Sequence, residues 1–202
     1  MEVYEAVTGR RTIRRYRQDR IPDLVLEHMT NAARLAPSGA NLQPCEYVVV
    51  TDPAKVKQVF PCLKWAGYIA PEGDPREGER PTAYIVVLLN RTVREAGGNH
   101  DAAAAIENML LVAYAEGVGT CWLGSVDRAR LGNILSVPAS LEIDSVVALG
   151  YPNEKPVVED ERGSIRYWKD KEGVLHVPKR RLEDIVHVNE YSRRPSRRGL
   201  EA

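Results

Sequence analysis

The feature that most constrains this chain is a cluster of four arginines within six positions, from Arg10 to Arg15. A guanidinium is a fixed planar cation that is costly to bury without an anion, so the cluster cannot pack into an apolar core. Thr12 lies inside it and offers a hydroxyl. Arginine forks beside a hydroxyl are well suited to binding a phosphate or the anionic edge of a ring. Residues 10–16, called the arginine segment below, are therefore predicted to bind an anion. A solvated basic linker is the alternative.

A second segment, residues 36–44, has the sequence Ala-Pro-Ser-Gly-Ala-Asn-Leu-Gln-Pro. Its prolines are rigid, its glycine permits unusual dihedral angles, and Ser38, Asn41 and Gln43 can hydrogen-bond neutral polar groups. An ordinary helix-ending turn is the alternative. We expect this loop and the arginine segment to hold one cofactor between them, with its anionic part on the arginines.

Composition excludes several functional classes. The formal net charge is zero, which argues against a generally basic nucleic-acid binder. Three widely spaced cysteines and four scattered histidines suggest neither a disulfide framework nor a metal site. The N-terminus lacks the regions of a signal peptide, and no apolar run reaches the ~20 residues of a membrane span. We expect a soluble, cytoplasmic protein that binds neither nucleic acid nor membrane.

Helical and strand patterns mix along the chain without strict alternation, which predicts an α+β fold rather than a doubly wound sheet. The predicted helices cover residues 2–9, 23–36, 53–60, 101–116 and 127–135, and the predicted strands cover residues 47–50, 84–89, 119–124 and 143–150. A hairpin is expected between residues 166–168 and 174–177. Prolines and glycines interrupt residues 61–81, which predicts a long irregular connection that shapes a pocket.

The helix predicted over residues 101–116 is apolar on almost every side, so it requires burial on more than one side. Asn99 or Asp101 is expected to cap it. A subunit interface is the expected place for the second buried side, and a central helix in a monomer is the alternative. Because 202 residues suit a single core, we expect one domain over residues 1–187, followed by a basic, flexible tail over residues 188–202.

Five motifs occur in order along nearly the whole chain, up to about residue 187. They are Arg10-Arg11-Thr12-x-Arg14, Pro37-Ser38-Gly39-x-Asn41-x-Gln43-Pro44, Gly119-Thr120-Cys121-Trp122-Leu123-Gly124, Ala148-Leu149-Gly150-Tyr151-Pro152 and Lys179-Arg180-Arg181. Together they resemble the FMN-dependent nitroreductase family. The combination is specific for the family and unspecific for the substrate.

The resemblance implies a three-layer fold with a mainly antiparallel central sheet flanked by helices. It also implies a homodimer with FMN at each of two subunit interfaces, where the arginine segment and the loop come from opposite chains. The strand end at 123–124 would present a backbone N–H to flavin N5, and late basic residues would hold the phosphate. The implied cofactor-binding residues are Arg10, Arg11, Thr12, Arg14, Pro37, Ser38, Gly39, Asn41, Gln43, Leu123, Gly124, Lys179 and Arg180. The register around Pro178 leaves open whether Arg180 or Arg181 holds the phosphate.

The implied activity is that of an FMN-dependent oxidoreductase. The flavin would take hydride from NADH or NADPH and pass it by ping-pong exchange to a nitroaromatic, quinone or flavin-type acceptor. Arg14 is our candidate for stabilising the charge that develops at the N1–O2 edge of the reduced flavin. No protein acid–base residue is assigned, and His100 and Cys121 are expected to be a surface residue and a buried structural thiol. A non-catalytic flavin- or nucleotide-binding protein is the alternative, as are dehalogenation, flavin fragmentation and heterocycle oxidation.

Overall fold

The computed structural model describes residues 1–191, and it divides the chain into two compact units, residues 1–154 and the residues from Lys155 onward. The first unit contains α1 (Val3–Gly9), β1 (Tyr16–Arg17), α2 (Asp23–Arg34), β2 (Cys45–Val50), α3 (Pro53–Val59), β3 (Ala83–Asn90), α4 (Asn99–Ala115), β4 (Gly119–Leu123), α5 (Arg128–Leu135) and β5 (Leu141–Pro152). The second unit contains β6 (Val157–Asp160), β7 (Trp168–Lys169) and β8 (Leu175–Lys179).

The first unit is organised around a five-stranded sheet. β5 pairs with β3, β4 and β1, and β2 pairs with β3, and each of these pairings is antiparallel. The register of β3 against β5 shifts once, between Val87 and Leu88. The predicted α+β fold with a mainly antiparallel central sheet is therefore confirmed. The two-residue strand β1 was not predicted, because it is too short to show a periodic pattern.

Both faces of the sheet are covered, which explains why β3 is apolar along its whole length. Its odd-numbered residues Ile85 and Val87 pack with α2 and α4 in the main core. Tyr84 and Val86 point to the opposite face, since side chains alternate along a strand. There α3 lies close, because its Val56 lines the same cavity as Tyr84. Helices on two sides of one sheet give the predicted three layers.

Helix α4 corrects two details of the sequence prediction. It begins at Asn99 and is preceded by Gly98, whose φ of 88° is left-handed, so neither Asn99 nor Asp101 is the cap. Its fully buried residues form one stripe: Asp101, Ala102, Ala105, Ile106, Met109, Leu110 and Ala113. Residues between these positions, such as Leu111 and Val112, are only half-buried. One chain by itself therefore buries one side of this helix fully.

Residues 61–81 follow the irregular course that was predicted, yet they are packed. Short 3₁₀ turns occur at Phe60–Cys62 and Gly67–Ile69. Trp65 is buried and stacks on Phe60, with ring centroids 5.6 Å apart. The connection is therefore held by aromatic packing together with scattered backbone hydrogen bonds, such as that from the Lys64 N–H to the Ser125 carbonyl at 3.1 Å.

The second unit is a three-stranded sheet in which β8 pairs with β6 in parallel and with β7 antiparallel. The predicted hairpin is present as β7 and β8, whereas β6 was not predicted. His176 of β8 lies 3.2 Å from carboxylate oxygens of both Glu159 and Asp170 and stacks on Trp168. The boundary at residue 154 falls inside the domain predicted over residues 1–187, so that domain stays a prediction. Of the predicted tail, residues 192–202 lie outside the described residues.

Candidate functional site

The arginine segment runs beside β4 and is fixed to it through its backbone. The N–H of Ile13 donates to the Thr120 carbonyl at 2.8 Å, and Thr12 forms a parallel bridge with Thr120. The buried side chain of Ile13 packs on Gly119, where a Cβ atom would lie 2.9 Å from Ile13 Cγ1. Since only a glycine leaves this space, the first and third sequence motifs form one local structure.

Arg10 is half-buried and incompletely paired. Its Nε lies 3.7 Å from Oε1 of Glu107 on α4, which is an ion-pair distance but too long for a hydrogen bond. That Nε is buried and finds no hydrogen-bond partner among residues 1–191. Arg11, its neighbour, donates to the Arg10 carbonyl and is also only partly exposed. Because a buried guanidinium nitrogen without an acceptor is costly, this position fits the anionic group of a cofactor.

Arg14 and Arg15 are held by acidic partners within the first unit. The backbone N–H groups of both residues donate to the Glu154 carboxylate, and the Arg15 side chain forms an ion pair with Glu79. Arg15 therefore ties the segment to the irregular connection. The Arg14 side chain instead reaches the thiol of Cys121 on β4.

Cys121 is a structural thiol, as expected. It is buried, and burial raises its pKa to about 11, although the charge and hydrogen bond of Arg14 act in the opposite direction. A thiol with this pKa stays protonated near neutral pH, and the thiolate is the reactive form. The chemistry at this site therefore does not come from Cys121.

The loop of residues 36–44 has an unusual backbone. Ala40, Asn41 and Gln43 have φ values of 51°, 55° and 51°, in the left-handed region that residues other than glycine rarely adopt. Hydrogen bonds hold this shape, and one of them runs from the Gln43 N–H to Ser38 Oγ at 3.0 Å. Strained backbone of this kind tends to occur at ligand-binding sites. The loop is therefore more than the helix-ending turn that its prolines alone suggest.

A buried carboxylate that sequence analysis missed anchors this loop. Asp101 accepts a hydrogen bond from the Gly39 N–H at 3.0 Å and another from Arg94 Nη1 at 2.7 Å. A Cβ atom on Gly39 would lie 2.9 Å from that Arg94 nitrogen, so the glycine lets the backbone approach the ion pair. The only sequence signal was the position of Asp101 near a helix start, which we interpreted as a cap.

Helix α4 carries the anchors of both the loop and the arginine segment. The loop is attached at Asp101, and Arg10 lies beside Glu107, six residues further on. In an α-helix this separation is about 9 Å along the axis and about 120° around it. Within one chain the two segments therefore rest on different sides of the helix.

A cavity of about 140 Å³ lies behind the loop and is lined by residues that include Ser38, Gln43 and Asp101. Cys45 and Tyr47 of β2 also line it. Burial raises the pKa of Cys45 to about 11, and burial also raises the pKa of the Tyr47 phenol. Both groups are therefore neutral at physiological pH, and the buried charge beside the loop is that of the Asp101–Arg94 pair.

The strand end at 123–124 is accessible. Leu123 is buried as the last residue of β4, and the exposed Gly124 follows it. Apart from its two chain neighbours, no described residue has an atom within 4 Å of where a Cβ on Gly124 would be. Space is therefore open beside the backbone here, and the role that the resemblance implies for this strand end stays a prediction.

The late basic residues belong to the second unit. Lys179 is exposed at the end of β8. Arg180 donates to the Asp184 carbonyl at 2.9 Å, whereas Arg181 lies within 4 Å of the carboxylates of both Asp160 and Glu183. Because Arg181 already has two acidic neighbours, this arrangement favours Arg180 over Arg181 as a phosphate ligand. Its assignment to the cofactor stays a prediction.

Two kinds of feature are absent from residues 1–191. No group of three or more histidine, cysteine or acidic residues there could hold a metal ion. None of the helices in the same range is long and apolar enough to cross a membrane. His100 is exposed near the start of α4, as expected for a surface histidine.

Comparison with known proteins matches residues 7–151 to the model of the Nitroreductase family. A relative from Archaeoglobus fulgidus, provisionally named NADH dehydrogenase/NAD(P)H nitroreductase, is 32% identical over 76% of this chain and 87% of its own length. A NADH dehydrogenase from Thermus thermophilus is 28% identical over 77% of this chain and 89% of its own length. The crystal structure of a provisionally named nitroreductase from Desulfovibrio desulfuricans, in complex with FMN, aligns with a TM-score of 0.62 and 26% identity, covering 81% of this chain and 93% of that one.

Proposed function

This chain belongs to the nitroreductase family, and from that premise we propose where its electrons come from and where they go. It is an FMN-dependent oxidoreductase. Bound FMN supplies a centre that takes hydride from NAD(P)H and delivers it, by ping-pong exchange, to a nitroaromatic, quinone or flavin-type acceptor. The observation that carries the proposal is the half-buried Arg10, whose buried Nε has no acceptor among residues 1–191.

The protein's own contribution is to bind and orient the cofactor. Arg10 and Arg11 offer cations, and Thr12 offers a hydroxyl, on a segment whose backbone is fixed to β4. Lys179 and Arg180 supply further positive charge for the phosphate. Because FMN ends in a phosphate of nearly two negative charges, several cations are needed to hold it without a metal.

Arg14 has a separate role in this proposal. Its backbone N–H donates to the Glu154 carboxylate, and its side chain lies beside the thiol of Cys121, whose pKa its charge lowers. A fixed guanidinium stabilises negative charge that develops at the N1–O2 edge of a ring. We therefore assign Arg14 to tuning the reduction potential, in addition to binding.

We also propose that the active unit is a homodimer in which the loop of one chain completes the site of the other. Three features support this arrangement. The two cofactor-binding segments rest on different sides of α4, the second side of α4 is only half-buried, and Leu35 and Leu42 beside the loop are exposed. A second copy that covers this side would bury the exposed apolar surface, and burial of apolar surface drives the formation of most homodimers.

Three free cysteines suit a reducing compartment, so the cytoplasm is part of the proposal.

The test is direct. The protein should purify with FMN, and not FAD, at about one per chain, because the cations suit a single terminal phosphate. Under anaerobic conditions NADH or NADPH should bleach the flavin absorbance, and a quinone or nitroaromatic should restore it. Steady-state rates should give parallel double-reciprocal lines, the pattern of ping-pong exchange. A yellow protein that neither nucleotide bleaches would instead identify a non-catalytic flavin-binding protein.

A further inference from the structure

A second cavity lies away from both cofactor-binding segments. It has a volume of about 440 Å³ and is enclosed by α3, the end of the irregular connection and the start of β3. None of the residues assigned above to FMN lines it. Its volume falls within the roughly 300–1,000 Å³ range of small-molecule sites.

Two hydroxyl groups in the wall of this cavity are buried and unpartnered. Neither Thr82 Oγ1 nor Tyr84 Oη has a hydrogen-bond partner among residues 1–191. The Tyr84 side chain is completely buried, so its hydroxyl is shielded from bulk water. Leaving a buried hydroxyl without a partner is costly, and phenylalanine or valine would fill the same space without that cost. The two hydroxyls are therefore explained by a ligand oxygen that pairs with both.

The mouth of the cavity is positively charged. Arg80 lies over the ring of Phe60 at 4.2 Å from its centroid, and Lys57 lines the same rim. Arg20 also lines it, but Asp23 takes both of its contacts at 2.9 and 3.0 Å. One acid, Glu77, lines the rim. Two cations that have no ion pair among residues 1–191 outweigh that single carboxylate, so the mouth favours an anion.

Apolar side chains line much of the rest of the cavity. Pro53 and Val56 come from α3, Phe60 follows that helix, and Pro81 precedes β3. An aromatic ring matches walls of this kind, because the two prolines and Val56 present apolar surface. The cavity thus offers hydrogen-bonding hydroxyls, apolar contact and positive charge.

We propose that this cavity binds a small planar aromatic acid that also carries an oxygen substituent. The substituent pairs with the hydroxyls of Thr82 and Tyr84, the ring lies against the apolar side chains of the wall, and the carboxylate faces Lys57 and Arg80. The site is separate from the FMN site but near it. Tyr84 and Cys121 are both paired with Ala148, on the two sides of β5, so their backbones are two strand spacings, or roughly 10 Å, apart.

The probe for this site is 4-hydroxybenzoate, titrated calorimetrically into the FMN-loaded protein. Benzoate lacks the oxygen substituent, and 4-hydroxybenzyl alcohol lacks the charge, so each should bind about tenfold more weakly, the effect of one lost hydrogen bond or charge contact. Tyr84→Phe and Thr82→Val should each weaken 4-hydroxybenzoate by about tenfold and leave benzoate unchanged. Lys57→Met should weaken 4-hydroxybenzoate and leave the alcohol unchanged. Tyr47→Phe, which lies outside this cavity, is the matched control and should change none of the three.

The ligand-free variants give a second readout. Because Tyr84→Phe and Thr82→Val remove unpartnered hydroxyls, neither should lower the thermal midpoint of the ligand-free protein. A lowered midpoint in both would mean that the hydroxyls are structural, and it would overturn the proposal. So would the absence of saturable 4-hydroxybenzoate binding at millimolar concentration, equal binding by wild type and Tyr84→Phe, or competition by free FMN in the cofactor-free protein.

Discussion

The loop of residues 36–44 and the arginine segment both rest on α4, but their polar groups are satisfied to different degrees. In the loop, the Gly39 N–H, the Asp101 carboxylate and the Arg94 guanidinium form one closed set of hydrogen bonds. In the arginine segment, the backbone is fixed while the Arg10 Nε remains buried without an acceptor among the described residues. One region is complete in the ligand-free chain, and we propose that the anionic part of the cofactor completes the other.

This difference indicates what each half of the proposed site contributes to cofactor binding. A strained loop can hold its shape only if surrounding bonds over-determine it, and the Asp101 anchor does so before any ligand arrives. Cations that await an anion instead gain their favourable partner on binding, so binding energy is concentrated there. We therefore expect loop mutations to affect folding and arginine mutations to affect cofactor affinity.

The largest expected effect is on activity, and it comes from placing the lesions of the two halves of the proposed site in different chains. One chain carries Arg10→Met and Arg14→Met, and the other carries Ser38→Ala and Asn41→Ala. If sites are shared, one of the two sites in a mixed dimer has both halves intact, and each heterodimer recovers up to half of the normal activity. Activity is measured after co-expression and separation by two affinity tags.

The controls for this experiment are the two homodimers, in which every site carries a lesion. If each site were built within one chain, mixing would restore nothing. A monomeric protein with full FMN occupancy in sedimentation would contradict the shared site more directly.

The next largest expected effect is on the free energy of unfolding, and it comes from removing Asp101, which anchors the loop. Asp101→Ala leaves the Gly39 N–H without its acceptor and Arg94 without its partner, so we expect a loss of about 2–4 kcal/mol in the free energy of unfolding. Urea denaturation measures this loss. Asp23→Ala is the matched control, because that carboxylate pairs with Arg20 on the exposed surface and should cost less than about 1 kcal/mol. Equal losses in the two variants would remove the distinction between the loop and an ordinary surface pair.

Arg10→Met tests the other half. It removes a charged contact to the phosphate or ring, so FMN affinity should fall by about 1.5–3 kcal/mol while the unfolding free energy of the cofactor-free protein changes little. Fluorescence titration of the cofactor-free protein with FMN measures the affinity. Arg17→Met, on an exposed arginine paired with Asp19, should leave FMN affinity unchanged. A stability loss in Arg10→Met that matched Asp101→Ala would show that both regions are structural.

Local signals account for what the sequence predicted well. The loop that follows α2 and the buried strand β3 are each recognisable within ten residues, from proline and glycine placement and from continuous apolar character. The binding roles of the arginine segment and the loop stay predictions. Helix α4 was also found from its composition, although its start was misplaced because Gly98 rather than a polar side chain precedes it. In each case the deciding interactions are close together along the chain.

Contacts between distant residues account for what was missed. Asp101 lies 62 positions from Gly39, and nothing in either neighbourhood indicates the pairing. Strand β6 forms through parallel pairing with β8, which a stretch of two valines and two acids does not reveal. Thr82 and Tyr84 look like ordinary residues at the start of a strand, and only the fold shows that their hydroxyls lack partners.

A smaller effect is expected from relieving strain in the loop. Ala40→Gly places at φ 51° a residue that adopts the left-handed region freely, which should stabilise the ligand-free protein by up to about 1 kcal/mol. FMN affinity should not improve, because the closed anchor already holds the loop in shape. Ala54→Gly in the exposed helix α3 is the opposite control and should destabilise by about 1 kcal/mol. Destabilisation by Ala40→Gly would mean that the loop backbone is not strained.

The smallest effects should appear in two thiols that report on the two regions with opposite signs. The pKa of both Cys45 and Cys121 is raised to about 11, chiefly by burial. The charge of Asp101 contributes to the raised pKa of Cys45, whereas the charge of Arg14 acts to lower the pKa of Cys121. Asp101→Asn should therefore lower the pKa of Cys45, and Arg14→Met should raise that of Cys121. Thiolate absorbance near 240 nm measures each in a variant that keeps only that cysteine.

Because both folded-state pKa values exceed the ordinary 9.0, the unfolded chain loses these protons first, and the free energy of unfolding should fall as pH rises from about 9 to about 11. Replacing both cysteines with alanine should flatten this fall of the unfolding free energy with pH. Shifts of the same sign in the pKa of Cys45 in Asp101→Asn and the pKa of Cys121 in Arg14→Met would contradict the electrostatic difference between the two regions.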